Sequence, residues 1–312
     1  MTRVAAFDCG TNSIRLLIAE LTESGMTELH RDMQIVRLGQ GVDRSARLAD
    51  AALERVFRAL DGYLPVLEEY CVERTRFCAT SAARDAENAE DFRRGVHVRL
   101  GQDPEILSGD EEARLSFLGA TLSLKASLPA PYLVVDIGGG STELILGTDS
   151  VAAAQSLDIG SVRMTERHLH DDPPTAEQIQ ACVRDVDAAL EETTVPLDQA
   201  GAVIGVAGTV TTIAAGALRL ASYDRQIVHH SVIDVASVQA TMHQLLAESV
   251  EQRRGHGYMH PGRADVIGAG GIILERILQR TPVMSVLVSE HDILDGIAWS
   301  LATSVVGDER SQ

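Results

Sequence analysis

Two stretches decide the fold of this chain: DCGTNSIRLLI at residues 8–18 and DIGGGSTELIL at residues 136–146. At a constant offset of 128 residues, Asp8 corresponds to Asp136, Gly10 to Gly138 and Ser13 to Ser141. Each copy follows a short apolar strand, VAAF (4–7) or YLVV (132–135), turns at glycine and leaves on a second apolar strand. That is a β-hairpin with a Gly/Ser/Thr/Asn tip, present twice. One such tip is a weak signal, whereas two in register argue for a duplicated half.

Glycines at a hairpin tip let the backbone approach a ligand and aim N–H groups at it. The aspartate that begins each loop adds an oxygen donor for a cation. Tips Gly10-Thr11-Asn12-Ser13 and Gly138-Gly139-Gly140-Ser141, if they face one another, make an anion-plus-metal clamp. The copies differ at one informative position, where Arg15 corresponds to Glu143. The arginine suits a phosphate oxygen and the carboxylate suits a hydrated Mg²⁺, so Asp8, Asp136 and Glu143 are the candidate metal-side groups.

The remaining composition narrows the function. At 312 residues the chain exceeds one ordinary hydrophobic core, so two domains are expected. Aromatic residues are only 4%, with Trp299 the single tryptophan, which argues against a base-stacking platform. The 45 acidic residues outnumber the 27 basic ones, for a net charge of −18 that repels nucleic acid and anionic membranes. A polyanionic substrate must therefore be met by local arginines, oriented amides or a metal ion. Four cysteines without a C-x-x-C pair suit reduced thiols of a cytoplasmic protein, and Asp8 interrupts any signal-peptide core. Residues 200–218 are uncharged and approach the length of a membrane span, but their four glycines and three threonines read better as a buried strand, Gly loop and helix.

The first half reads as strands at 3–7, 14–20 and 27–37, a helix at 50–70 with a kink at Pro65, and a strand at 76–79. A helix at 88–99, a strand at 104–107 and a helix at 110–122 follow. The linker is Leu128-Pro-Ala-Pro131. Strands at 132–136, 142–148 and 151–158 repeat the opening meander. After them come a helix at 175–192, a strand at 202–207, helices at 210–220, 235–248, 263–280 and 291–306, and a strand at 283–288. The expectation is an α/β protein with domains 1–128 and 129–312.

Four further segments could carry chemistry. In SGDEEARL (108–115), Ser108 and Glu111 have capping-box spacing, which frees Glu112 as either a general base or a solvated helix-start glutamate. In TSAARDAEN (80–88), Ser81 and Arg84 could grip a phosphate, or form a capped helix with a surface Arg84–Asp85 cluster. In GVAGTVTT (205–212), Gly208 and Thr209 open a helix suited to an anion, or Gly208 serves close packing. The basic stretch RRGHGYMHPGR (253–263) could offset the net charge locally, or lie in solvent as a loop, and its His256 and His260 are a weak zinc pair.

With ATSAARDAEN, SGDEEARLSFLG and VVDIGGGSTEL in this order after DCGTNSIRLLI, the sequence resembles the exopolyphosphatase / guanosine pentaphosphate phosphohydrolase family. SLDIGSVRMTE (156–166), VHH (228–230) and VSEHDILDGI (288–297) agree, so the resemblance spans nearly the whole chain. It implies two ribonuclease H-like (actin-like) domains facing an interdomain cleft, with 299–312 crossing back onto the first. It also implies Glu112 as catalytic base and Asp136 and Glu143 at Mg²⁺, with a monovalent cation such as K⁺ left open. Phosphate would be bound by the two tips, Arg84 and the Gly208–Thr209 loop. The substrate implied is inorganic polyphosphate or guanosine pentaphosphate, cleaved by a cytoplasmic homodimer that engages neither nucleic acid nor membrane. An ATP-binding actin-like switch or kinase is the alternative of another class. The chain resembles the short members, lacking the helical extension of the long ones, and has His230 where the family often has glycine.

Overall fold

The computed structural model describes residues 1–23, 25–122, 124 and 128–308, with side chains in the last helix as far as Ala302. Residues from Met1 to Leu122 and from Ile293 onward form one compact unit, and those between, to Asp292, form a second. The sequence reading divides the chain at 128/129 and returns only 299–312 to the first unit, whereas the division falls after Leu122 and again before Ile293.

The first unit begins with β1 (Thr2–Cys9), β2 (Ser13–Thr22) and β3 (Gly25–Ile35). Helices α1 (Val42–Ser45) and α2 (Asp50–Glu69) precede β4 (Arg74–Ala79), α3 (Ser81–Arg84), α4 (Ala89–Leu100), β5 (Glu105–Ile106) and α5 (Gly109–Leu122). The sheet order is β3-β2-β1-β4-β5, which puts β1 at the centre. Burial follows the period of two expected of a central strand. Ala5, Phe7 and Cys9 point to a core closed by α2 and α4, in which Phe7 stacks on Phe77 at 5.3 Å. Val4 and Ala6 point to the opposite core, so by alternation Asp8 lies on that second face. Helix α2 is continuous through Pro65, and its stripe Leu53, Val56, Leu60 and Tyr63 is buried.

The second unit repeats the plan. Strands β6 (Tyr132–Ile137), β7 (Thr142–Gly147) and β8 (Val151–Leu157) lead to α6 (Ser161–His168), α7 (Ala176–Glu191), β9 (Ala202–Val206) and α8 (Ala207–Ala217). Then come α9 (Arg225–Val228), β10 (Val232–Asp234), α10 (Val235–Ala247), α11 (Val250–Arg254), α12 (Ile267–Leu278) and β11 (Ser285–Val288). The order β8-β7-β6-β9-β11 matches β3-β2-β1-β4-β5, with antiparallel β10 added at the edge. The uncharged 200–218 run contains β9 and α8, and no described helix is long and apolar enough to cross a membrane. Short elements such as α6 and α9 carry too few residues for a periodic pattern to stand out and are absent from the sequence reading.

The duplication is a matter of register. Asp8 pairs with Arg15 across β1–β2 as Asp136 pairs with Glu143 across β6–β7, each position displaced by the same offset. Both hairpins then have a parallel strand on their other side, Asp8 opposite Cys78 and Asp136 opposite Val206. The two units therefore present equivalent tips on equivalent strands.

The last helix, α13 (Ile293–Asp308), completes the first unit. Ile293, Leu294, Ile297 and Ala298 cover Val4, Ala6, Leu17 and Ala19 on the second face of the sheet. Arg76 Nη1 donates to Ser300 Oγ at 2.7 Å, Arg74 Nη1 to the Leu301 carbonyl at 3.0 Å, and Arg31 Nη2 to Asp295 Oδ1. Asp295 is 2% exposed, so removing Arg31 takes an ion-pair partner from a buried charge. Arg31→Ala is expected to cost about 3 kcal/mol in urea unfolding followed by the fluorescence of Trp299, which sits on the same helix. A loss below about 1 kcal/mol would show that the pair does not hold α13.

Candidate active site

In the first unit, the tip at 10–13 closes on itself, Gly10 N donating to Ser13 O at 2.9 Å. Its carbonyls are engaged from behind. Asn12 O accepts from Val36 N at 3.0 Å and Arg37 N at 2.9 Å, and Thr11 O accepts from Gly39 N at 2.9 Å. Thr11 Oγ1 is buried and makes no hydrogen bond among the described residues. Asp8 and Arg15, expected separately at metal and phosphate, are bonded to each other: Arg15 Nε donates to Asp8 Oδ2 at 2.9 Å, and Nη2 reaches the same oxygen.

The 80–88 segment adjoins this tip, since Thr80 N donates to Cys9 O at 3.3 Å. Thr80 makes no side-chain cap, and Arg84 does not pair with Asp85, so the capped-helix alternative is not what forms. Instead Arg84 Nη1 donates to Leu107 O at 2.8 Å and to Glu112 Oε2 at 3.0 Å. Glu112 is 7% exposed, which removes it from the solvated helix-start class. A buried carboxylate needs a partner, and Arg84 supplies it. The expected capping box is half formed. Glu111 N donates to Ser108 Oγ at 3.2 Å, but the Glu111 carboxylate is drawn to Arg76 at 2.8 Å.

In the second unit, Gly138 N donates to Ser141 O at 3.0 Å, repeating the first tip. The start of α6 engages its carbonyls: Ser161 N bonds Gly138 O at 2.9 Å, Val162 N bonds Gly139 O at 2.8 Å, and Arg163 Nε bonds Gly140 O at 2.7 Å. Asp136 and Glu143 face one another across β6–β7, 6% and 1% exposed, and Ser156 Oγ donates to Glu143 Oε1 at 2.7 Å. Two carboxylates directly opposite in a sheet repel one another, and a cation between them would relieve that repulsion. Among the described residues no three or more His, Cys, Asp or Glu cluster as metal ligands. Mg²⁺ asks for less, taking one or two carboxylates and filling its shell with water and phosphate oxygens, and the Asp136–Glu143 pair fits that demand.

The junction between β9 and α8 lies beside Asp136 through the parallel register with Val206. Ala207 there takes φ 64°, a left-handed conformation that costs about 1 kcal/mol or more outside glycine and clusters at functional sites. The Arg263 guanidinium rests on Gly208, where an added Cβ would come within 2.3 Å of Cζ. Thr209 and Ser161 meet at Gly270, which ties this junction to the second tip. Arg263 is the functional candidate the sequence reading passed over. Its basic stretch was flagged, but reading it as a solvated loop is corrected by burial of Arg253, which donates to Leu245 O at 2.6 Å and Ala264 O at 3.1 Å. The weak zinc pair is also spoken for, His256 by Glu248 and His260 Nδ1 by Gly262 N.

His230 adopts φ 62°, a left-handed backbone conformation that favours glycine, and its ring stacks on His229 at 3.8 Å. Burial, and then the Asp8 charge, push the Cys9 thiol well up, and burial raises the Cys182 thiol to about 12. Neither is a nucleophile in that state.

Hairpin tips whose carbonyls are engaged by neighbouring groups, a buried carboxylate held by arginine and a facing carboxylate pair, on two ribonuclease H-like sheets, suit a phosphate-handling hydrolase. The model of the Ppx/GppA phosphatase family matches residues 17–304, and the chain belongs to that family. It is 46% identical to Exopolyphosphatase 2 of Mycobacterium tuberculosis, covering 97% of this chain and 99% of that protein. The crystal structure of an exopolyphosphatase-like protein superposes with a TM-score of 0.95 at 44% identity, over 98% of this chain and 99% of that one. The Aquifex aeolicus Ppx/GppA family member superposes at 0.81 with 31% identity, over 97% and 98%. A guanosine-5′-triphosphate,3′-diphosphate pyrophosphatase of Photobacterium profundum is 29% identical over 96% of this chain and 56% of that protein.

Gly160 tests how firmly the second tip is seated. An added Cβ would lie 2.4 Å from Gly139 O and 2.5 Å from the Gly140 carbonyl carbon, backbone atoms that no rotamer change can move aside. Gly160→Ala is expected to cost about 1–3 kcal/mol in denaturant unfolding, and an unchanged midpoint would show that the tip is free to shift.

Proposed function

We propose that the protein is an exopolyphosphatase that hydrolyses the terminal phosphoanhydride bond of inorganic polyphosphate. The observation that carries this reading is the buried Glu112–Arg84 contact, a carboxylate and a phosphate-gripping guanidinium held together 3.0 Å apart. Close identity over full length to an enzyme named exopolyphosphatase supports it independently.

Phosphoryl transfer passes through a loose transition state, so the protein chiefly positions groups and neutralises charge. Arg84 and the amides of the adjoining first tip hold the terminal phosphoryl group, with the carbonyls of that tip turned to the protein behind. Glu112 orients a water in line with the terminal phosphorus and accepts its proton. The new P–O bond forms to that water as the bridging P–O bond breaks, and the shortened chain leaves with the bridging oxygen. Asp136 and Glu143 would hold Mg²⁺, which when bound would supply charge neutralisation at phosphate oxygens. Asp8, fixed by Arg15, shapes the first tip. The same reading carries a cytoplasmic homodimer.

Glu112→Gln is expected to lower phosphate release from polyphosphate by about 10²–10⁴-fold with an unchanged melting temperature. Glu111→Gln, which loses a half-exposed ion pair, is expected to cost about 1 kcal/mol or less and little activity. A near-wild-type rate for Glu112→Gln removes it from the role. Glu143→Gln is expected to raise the Mg²⁺ concentration needed for half-maximal activity by at least about tenfold and to abolish stabilisation by Mg²⁺ in a melting scan. An unaltered Mg²⁺ response would move the metal elsewhere.

Removal of the 5′ terminal phosphate of guanosine pentaphosphate is the second reading, favoured by the pyrophosphatase among the relatives. Phosphate release from polyphosphate and from guanosine pentaphosphate at matched Mg²⁺ separates the two. Transfer to an acceptor other than water would instead support a kinase.

A further inference from the structure

The segment joining β3 to α2 is fixed at both ends. At its start, Val36, Arg37 and Gly39 donate to the carbonyls of the first tip, and Arg55 of α2 takes the carbonyls of Val36 at 2.6 Å and Arg37 at 3.2 Å. At its end the buried Asn88 holds both backbone groups of Leu48, at 2.8 and 3.0 Å. Midway, Ala46 O accepts from Glu87 N at 2.8 Å. The segment is therefore tied to the tip on one side and to the 80–88 segment on the other.

Between these ties lies an open concavity of about 600 Å³, beginning at Gln40 and lined by Arg44, Ser45 and Arg47. Its one lining carboxylate is Asp50. Among the described residues neither Arg44 nor Arg47 makes an ion pair, and both side chains are exposed. Elsewhere in this chain, arginines such as Arg76, Arg93, Arg99 and Arg276 are committed to carboxylates. Two uncommitted guanidiniums in one recess, on a chain of net charge −18, form a local positive site.

We propose that this concavity is a distal subsite for a condensed-phosphate chain, where Arg44 and Arg47 hold phosphate units beyond the terminal one. The inference rests on the exopolyphosphatase reading and extends it. Guanidinium forks match phosphate oxygens bidentately, and a recess pinned at both ends loses little freedom when it is filled. The recess begins one residue beyond Gly39, whose amide bonds the Thr11 carbonyl, so it adjoins the first tip.

The experiment compares wild type with Arg44→Ala/Arg47→Ala on tripolyphosphate and on long-chain polyphosphate at fixed ionic strength. For the long chain, KM is expected to rise about tenfold with kcat unchanged, while both constants for tripolyphosphate stay as they were. Arg44→Lys/Arg47→Lys is expected to recover part of the affinity, and raised salt to weaken the wild type more than the alanine variant. An equal rise for both substrates, or none for either, overturns the subsite. If the wild type releases phosphate from neither substrate, the exopolyphosphatase reading fails. Direct titration of the same two polyphosphates then decides the subsite by whether the alanine variant loses affinity for the long chain only. A melting temperature matching wild type confirms that these exposed replacements leave the fold intact.

Discussion

A turn of backbone can offer its amides to an anion only if its carbonyl oxygens are engaged elsewhere, because oxygen and nitrogen alternate along the same chain. Both hairpin tips meet that requirement by the same means and with different parts. The first hands its carbonyls to the amides of residues 36–39, the second to the opening turn of α6 and the Arg163 side chain. Much of the nearby structure follows from this need. The loop after β3 must fold back over the tip, and Gly160 must lack a side chain so that α6 can come close enough to bond.

The architecture was largely legible in the residues. The repeat survives as an identical hairpin register, and a period-two pattern on β1 separates two cores. Positions of the tips, the candidate base and the facing carboxylates were also readable, because each sits at a strand end or helix start that sequence pattern marks. Contacts between them were not. Arg84 and Glu112 are 28 residues apart and Arg263 lies 55 residues from Gly208; such meetings are decided by packing, which a linear pattern does not encode. Glu111 shows the same limit, since a correct capping motif lost its second half to an arginine on a neighbouring strand.

Charge organises the site more than hydrophobicity does. A molecule of −18 repels a polyphosphate at long range, so attraction must come within roughly a Debye length of about 8–10 Å. Most arginines are neutralised by an adjacent carboxylate and contribute little to that attraction. Arg84 is a different case, since its partner Glu112 is the very group assigned to water. Pairing them makes a carboxylate tolerable in a buried place, and leaves the remaining guanidinium nitrogens for phosphate oxygens.

The way α13 closes the first unit bears on how the chain is made. One face of the first sheet, with Val4, Ala6 and Leu17, lacks the cover that α13 gives it until the residues from Ile293 onward have left the ribosome. Domains usually mature in the order of synthesis, N-terminal first. Here the second unit is continuous in sequence and complete before its predecessor, so the half made earliest must wait, with apolar surface open to chaperones, for the half made last.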